Sequence, residues 1–322
     1  MNSEPTGQPY TVVVTGVGLA VPGLADPAGL LGAADPSRPD GGGEPFDPET
    51  ALKGRELRHK DRATRLALRA VEPALRDAQW YGAEGPAPDA ARTAVVVSSN
   101  TGNVDSVCGY VDTAALHTSR AISATGLPQT STSAIAGWIA AGFGLRGPAL
   151  TLCNGATSGL DALRWGRGLI AAGRADTVIV TGVEPHNDVV ARLLGARAVD
   201  GAASVVLESA GHAAARGVRG RARLRGHGRG SDPAEVLRRA RGQEGGEVGL
   251  WLTGAPGPDR EHPPAGARPL ALEDELGQCG GALGVLQCVA AVAHYDRGGA
   301  GLVVATAHAT DACAAVAFQP PC

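Results

Sequence analysis

Rings are scarce in this sequence: aromatic residues fill only 3% of its 322 positions. A core of that size cannot be built from bulky rings. It must come from Ala, Val and Leu with backbones packed closely, which the 47 glycines permit. Lysine is nearly missing too, standing at Lys53 and Lys60 alone. Neither sign of charge accumulates. The formal net charge of -3 excludes nucleic-acid binding driven by bulk electrostatics. No stretch approaches the roughly 20 apolar residues of a membrane helix. The opening MNSEPTGQPY has no basic start and no long apolar run, so no signal peptide is read there and a cytoplasmic protein is expected. Cysteine pairs at CxxC spacing are absent. Cys108, Cys153, Cys279, Cys288, Cys313 and Cys322 are scattered, several in apolar runs, and are expected as reduced, packed thiols rather than disulfides or a metal site. The glycine-rich GGGEP and GQEGGE lack the lysine and the strand-to-helix context of a phosphate loop, so no cofactor is expected.

What is present is alternation. TVVVTGVGL, from Thr11 to Leu19, reads as a buried strand. Residues Ala34 to Glu49, rich in Pro, Gly and Asp, read as an irregular loop. From His59 to Asp77, Ala63, Leu66, Ala67, Ala70 and Ala74 recur at helical spacing. TAVVVSS, the helix SAIAGWIAAGFGL, the strand Leu150 to Cys153, a helix to Gly173, and the strands DTVIVTGV and AASVVLES follow. Then the pattern restarts: strand RARLRGHG, helix Pro233 to Arg241, strand VGLWLTG, helix GGALGVLQCVAAVAHY, strands AGLVVATAH and CAAVAF. Such alternation predicts α/β architecture, with mostly parallel sheets covered by helices. A duplicated unit of this order makes an αβαβα five-layer sandwich, with residues 1–212 as the first half and 213–322 as an abbreviated second. The helices starting near Ala156 and Gly280 are apolar nearly all round and are expected between the sheets. Gly166, Gly168, Gly280, Gly281 and Gly284 would let them approach closely.

GLRGPALTLCNGATSGLDALRWGRGLIAAGRADTVIVTGVEP resembles the β-ketoacyl synthases of the thiolase superfamily, whose pattern there is GxRGPsxxixtACsSGxxAlxxAxxxIxxGxxDxxxaGG. VVVTGVGLAVP resembles the family's opening strand, and RHKDRATRLALRAVEPALRDA its first long helix. LGQCGGALGVLQCVAAVAH resembles the tGHxxGAaGxxexixxxLal segment, and ATAHATDACAAVAF the closing NSFGFGGtNaxlvf. The resemblance implies a thiolase-like fold with shortened loops. It also implies where the catalytic groups should stand, and here they are replaced. Ala156 occupies the nucleophilic cysteine's position, and Thr253 that of the first histidine, in LWLTGAPGPDRE. Gln278 replaces the second histidine, Glu273 the lysine five residues earlier, and Ala309 the gating phenylalanine. Condensation needs a thiolate to hold the acyl chain and imidazoles to support decarboxylation. No condensing activity is therefore expected from this chain alone.

One subfamily keeps the scaffold without the cysteine: the chain-length factors, or ketosynthase beta subunits, of type II polyketide synthases. SGLDAL, Ser158 to Leu163, is similar to their GGLDAL, although better-known members carry glutamine where Ala156 stands. The implied partners are an active ketosynthase and, through the complex, an acyl carrier protein, with no nucleic acid and no membrane. Leu150, Thr151 and Leu152 would lie at the pairing interface, and residues 109–132 beside the partner's pocket, whereas Trp138 and Phe143 read as core packing. Alternatives remain open. A relocated nucleophile at Cys279 or Cys153, helped by His308 and Asp311, would make an acyltransferase or thioesterase-like enzyme. A stand-alone scaffold homodimer is a further possibility. Arg221, Arg223 and Arg225 alternate on one strand and read as a charged, solvated edge, or as a docking stripe for an acidic carrier protein.

Overall fold

A computed structural model describes residues 11–34, 44–80, 89–243, 245–254, 263–264 and 266–321. Cys322, residues 35–43 of the expected loop, Glu244 of GQEGGE and residues 255–262 after the Thr253 motif lie outside the described residues. The strands of the first half are β1 (Val12–Ala20), β2 (Thr93–Ser98), β3 (Ala149–Leu152), β4 (Thr177–Glu184) and β5 (Gly201–Ser209). Those of the second are β6 (Ala222–Gly230), β7 (Val248–Thr253), β8 (Arg268–Ala271), β9 (Leu302–His308) and β10 (Cys313–Gln319). The helices before β4 are α1 (Pro48–Ala51), α2 (Arg62–Asp77), α3 (Val104–His117), α4 (Ala134–Gly142) and α5 (Ser158–Ala171). After β4 come α6 (Asp188–Leu194), α7 (Ala210–Ala215), α8 (Pro233–Arg241), α9 (Glu273–Leu276) and α10 (Leu283–Asp296).

The duplication is written in the strand order. The first half runs β3-β2-β4-β5-β1 and the second, read from its own edge, β8-β7-β9-β10-β6. In each half the three outermost strands are parallel, and the last strand runs antiparallel to both neighbours. The halves meet where β1 pairs with β6 over Val12↔Leu224, Val13↔Arg223 and Val14↔Ala222. That short contact joins ten strands into one ladder, because the first strand of each unit faces its counterpart. β8 was not expected. It is short, contains Pro269 and sits at an edge, the one sheet position that tolerates proline. The arginine-bearing strand β6 is not an edge, since it pairs with β10 along its length and with β1 at its start. Arg221 instead pairs with Asp77 and Asp296, tying the ends of α2 and α10 to that strand.

Three apolar clusters separate the helical layers. The outer cluster of the first half holds Leu66, Ala67, Ala70 and Leu75 of α2, with Ile135 and Ile139 of α4. α2 starts where the Asp61 carboxylate accepts the Thr64 N–H at 2.6 Å, and its buried residues form one stripe. The central cluster surrounds α5 and α10, and a smaller one holds α8 against the second half. Each central helix has 14 residues and follows a short 3-10 turn, Gly155–Thr157 before α5 and Gly280–Ala282 before α10. They cross at glycines: a Cβ on Gly284 would stand 2.2 Å from the Leu160 nitrogen, and one on Gly159 2.6 Å from the Gly284 nitrogen. Gly159 thus belongs to the close-packing set, whereas a Cβ on Gly168 would meet nothing within 4 Å. α10 is buried on all sides as expected, but α5 exposes Arg164, Trp165 and Gly168 beyond its second turn. Trp138 is only partly buried, lying under the Lys60 ammonium at 4.3 Å, while Phe143 packs against the outer cluster.

Candidate functional site

The carboxyl ends of the parallel strands β2, β4, β7 and β9 converge with the starts of α5 and α10. This is where an open α/β sheet offers backbone donors and helix N-termini to a ligand. Ala156 lies in the turn before α5, its methyl partly exposed. Gly155 precedes it at φ +79°, a conformation that suits glycine. Asn100, just past β2, fixes this turn. Its amide donates to the Gly155 carbonyl at 3.0 Å, and its oxygen accepts from the Gly155 N–H and the Ser158 hydroxyl, each at 3.2 Å. The turn before α5 is thus firmly held, and the side chain it carries at Ala156 is a methyl group.

Glu184, at the end of β4, is the pivot between the two helix starts. Its carboxylate accepts the Asn100 N–H at 2.6 Å, the Thr101 N–H at 3.0 Å, the Thr101 hydroxyl and the Gly281 N–H at 2.9 Å. Burial pushes its pKa above the usual glutamate value despite those donors. Three backbone donors that face the site are therefore taken up internally. The Ala309 N–H, on the loop that closes over Gly155, likewise donates to the Ala312 carbonyl at 2.8 Å.

Thr253, Glu273 and Gln278 come together on the other side of this junction. Thr253 is buried at the end of β7, and its carbonyl accepts the Leu272 N–H at 3.4 Å. Glu273 follows, its carboxylate accepting the Cys279 N–H at 2.7 Å. Gln278 has an exposed side chain and a backbone laced to Arg197 and Val199 at 2.9 and 3.0 Å. None of the three offers an imidazole or a primary amine. Cys279 is fully buried, its thiol donating to the Gly277 carbonyl at 3.4 Å. Burial first, then Glu273 and Glu184, push that thiol well above its ordinary pKa. Burial and Glu184 also raise Cys153, which is exposed. The helix-start argument for a Cys279 thiolate therefore fails, because desolvation and two carboxylates outweigh it. His308 and Asp311 flank Ala309 in the closing loop.

Behind Ala156 lies a charged network that the sequence did not single out. The buried Asp161 of α5 accepts from the Asn154 amide at 2.6 Å and the Thr157 hydroxyl at 3.0 Å. Across the layers it meets Arg229 at 3.2 Å and His227 at 3.4 Å, both on β6. Burial raises its carboxyl, but His227, Asn154, Thr157 and Arg229 outweigh burial and hold it below the ordinary aspartate value. The signal was an aspartate inside the apolar run SGLDALRW, just as a glutamate ending VIVTGVE marked Glu184; a buried acid demands partners.

β3 is the sheet's edge, and Leu150, Thr151 and Leu152 are all partly exposed on it. The Thr151 hydroxyl is buried and finds no hydrogen-bond partner. Next to β3, α5 presents Trp165 at 49% exposure. α3 buries none of its residues and carries Val111 and Leu116 at 61% and 75% exposure. Among the described residues no helix is long and apolar enough to cross a membrane.

The N-terminal domain of β-ketoacyl synthases matches residues 40–214. None of the curated proteins matches the chain. Solved structures resemble it over nearly its whole length. The ishigamide ketosynthase/chain length factor is 22% identical, covering 96% of this chain and 99% of its own, with a TM-score of 0.76. A type II PKS acyl-carrier protein complex with its ketosynthase bound to the hexaketide aligns at 16% identity, covering 97% and 100%, with a TM-score of 0.78. A β-ketoacyl synthase from Burkholderia phymatum STM815 aligns at 18% identity, covering 97% and 99%, with a TM-score of 0.73.

Proposed function

The chain belongs to the β-ketoacyl synthase family, and from that premise we propose that it is a non-catalytic ketosynthase-like subunit, a chain-length factor, that pairs with an active ketosynthase in polyketide or polyene assembly in the cytoplasm. The observation that carries this reading is Ala156, a methyl group held in a fully built nucleophile turn. A methyl cannot form a thioester, and Thr253 and Gln278 cannot replace two imidazoles in supporting decarboxylation. The deeply buried Cys279 gives no substitute. What survives is a scaffold with an uncovered edge strand, Leu150 to Leu152, beside the exposed Trp165. A second subunit pairing at β3 would cover both. Residues 109–132 would then bound the partner's acyl pocket, with Val111, Leu116 and Leu127 as exposed apolar side chains. The acyl carrier protein would be met by the complex, its acyl chain loading on the partner's cysteine.

Co-expression with a ketosynthase encoded nearby, followed by pull-down and an elongation assay with acyl carrier protein, tests this. A complex is expected whose activity vanishes when the partner's cysteine is replaced. Ala156→Cys should leave this chain inactive on its own, because both imidazoles are missing. A covalent acyl adduct on this chain in isolation, or a stable homodimer that ignores every ketosynthase, would overturn the proposal.

A further inference from the structure

The uncovered side of the first half carries charge as well as apolar surface. Ala134 to Ala175, the stretch that forms α4, β3 and α5, holds four arginines, Arg146, Arg164, Arg167 and Arg174, and one acid, Asp161. Asp161 is 3% exposed and already held by Arg229 and His227. Arg164 is exposed and Arg167 partly exposed, on the same side of α5 as Trp165 and Gly168. Neither of these two arginines pairs with an acid among the described residues. α5 packs chiefly on β2, β3, β4, β5, β9, β10 and α10. The acids of those elements are Glu184, Glu208 and Asp296, engaged by backbone N–H groups, by Arg216 and by Arg221. α3, with Asp105 and Asp112, makes its main contacts with α6 and the turns Ser119–Ala121 and Leu127–Thr130 rather than with α5. The two guanidinium groups therefore stand unneutralised beside the half-exposed Trp165.

β3 lies against α5, and the buried Thr151 hydroxyl on it has no hydrogen-bond partner. A strand added to this edge brings a second subunit against the exposed side of α5. If that subunit is another copy of the chain, the contact is isologous, so each patch meets itself. Two arginines from each copy then converge on the apolar contact around Trp165. Like charges there oppose association, and salt weakens the opposition. The same two cations favour a subunit whose facing side chains are carboxylates. The apolar parts of the surface, Trp165, Leu150 and Leu152, do not distinguish these two cases. The arginines do.

We propose that Arg164 and Arg167 set the partner specificity of this face: they exclude a second copy of the chain and admit a ketosynthase-like subunit that presents carboxylates to α5. This rests on the pairing at β3 proposed above, and charge exchange separates the two claims. Sedimentation of the full chain at about 50 mM salt, where screening reaches beyond about 10 Å, reads self-association. The parent and the variant Arg164→Glu/Arg167→Glu should each sediment as monomers. Their equimolar mixture should form a dimer at least tenfold tighter than either makes alone. Salt at about 1 M, with a screening length near 3 Å, should erase that difference. Arg164→Gln/Arg167→Gln removes the repulsion without inverting it, and should self-associate at least tenfold more tightly than the parent. In titrations against a ketosynthase, the inverted variant should bind at least tenfold more weakly than the parent. A parent that dimerises as tightly as the mixture overturns the inference. So does a mixture that stays monomeric, or a Gln variant no tighter than the parent. Ketosynthase affinity unchanged by the inversion overturns it too, while leaving the pairing itself intact. Mixture-specific dimers from a parent that binds no ketosynthase would instead sink the pairing proposed above and leave the exclusion of a second copy standing.

Discussion

α5 and α10 are one device used twice, and they differ in what covers them. Each follows a three-residue 3-10 turn, runs 14 residues and carries a glycine at its second position, where the two backbones touch. Counted from each helix start, Arg164, Trp165 and Gly168 correspond to Val289, Ala290 and Ala293. The first three are exposed and the last three buried. α10 is closed over within the chain by the segment Pro27–Ala34, which places Leu30 and Leu31 in the central cluster. Among the described residues nothing does the same for α5. The lesson is that the first half is finished as a fold and unfinished as a surface. On the function proposed above, Trp165, half in water beside the edge strand β3, is where a second subunit would pair.

The glycine crossing offers the hardest blow to this pseudo-symmetry. Gly284→Val would drive side-chain atoms into the Leu160 backbone, 2.2 Å from its own Cβ position. A cost of about 4 kcal/mol or more is expected, or no soluble chain at all, read from urea unfolding and soluble yield. If the variant is as stable as the parent, the helices do not cross as described.

Next in size is the tie between α5 and β6. Asp161→Asn removes the carboxylate that meets Arg229 and His227, and should cost about 3 kcal/mol near neutral pH. The pH dependence has a definite sign. Asp161 is held below its ordinary value, so its stabilisation is complete above that value and is lost as pH falls through the folded-state pKa. The difference between parent and variant should therefore be constant from neutral pH down to the ordinary aspartate range, then shrink. Unfolding curves at stepped pH measure it. A gap that widens on acidification would refute the assignment.

The uncovered face is tested by Trp165→Glu. The isolated chain should lose less than about 0.5 kcal/mol, because the side chain is half in water already. Pairing with a ketosynthase should weaken by about 2 kcal/mol or more, as expected for an aromatic anchor lost from an interface. Pull-down and calorimetry separate the two effects. Equal affinity in the variant would remove α5 from the pairing surface.

Much of this was legible from the residues alone, and the failures are instructive. The repeat and the two central helices follow from periodicity plus one dense motif. β8 was hidden because RPLA is short and contains a proline, and only pairing with β7 reveals it. The arginines of β6 suggested an edge, because alternation along a strand reports its faces and not its neighbours. Asn100, Glu184 and Asp161 were invisible as a group, since they lie on three elements far apart in sequence. The Cys279 reading failed because a helix start is only one influence on a thiol, and burial is the larger one.

The smallest effect discriminates most finely. Gly168 sits on the outward face of α5, and a Cβ there would meet nothing within 4 Å. In the isolated chain Gly168→Ala removes backbone freedom from the unfolded state and should stabilise by up to about 1 kcal/mol. Its counterpart Ala293 already carries that methyl, on a helix the chain covers by itself. If α5 is covered instead by a second subunit, the added methyl must be accommodated at that interface. The variant should then melt higher alone while its pairing affinity stays level or falls. A methyl that raises both stability and affinity would mean that the open face of α5 points to solvent in the complex, with the partner meeting β3 alone.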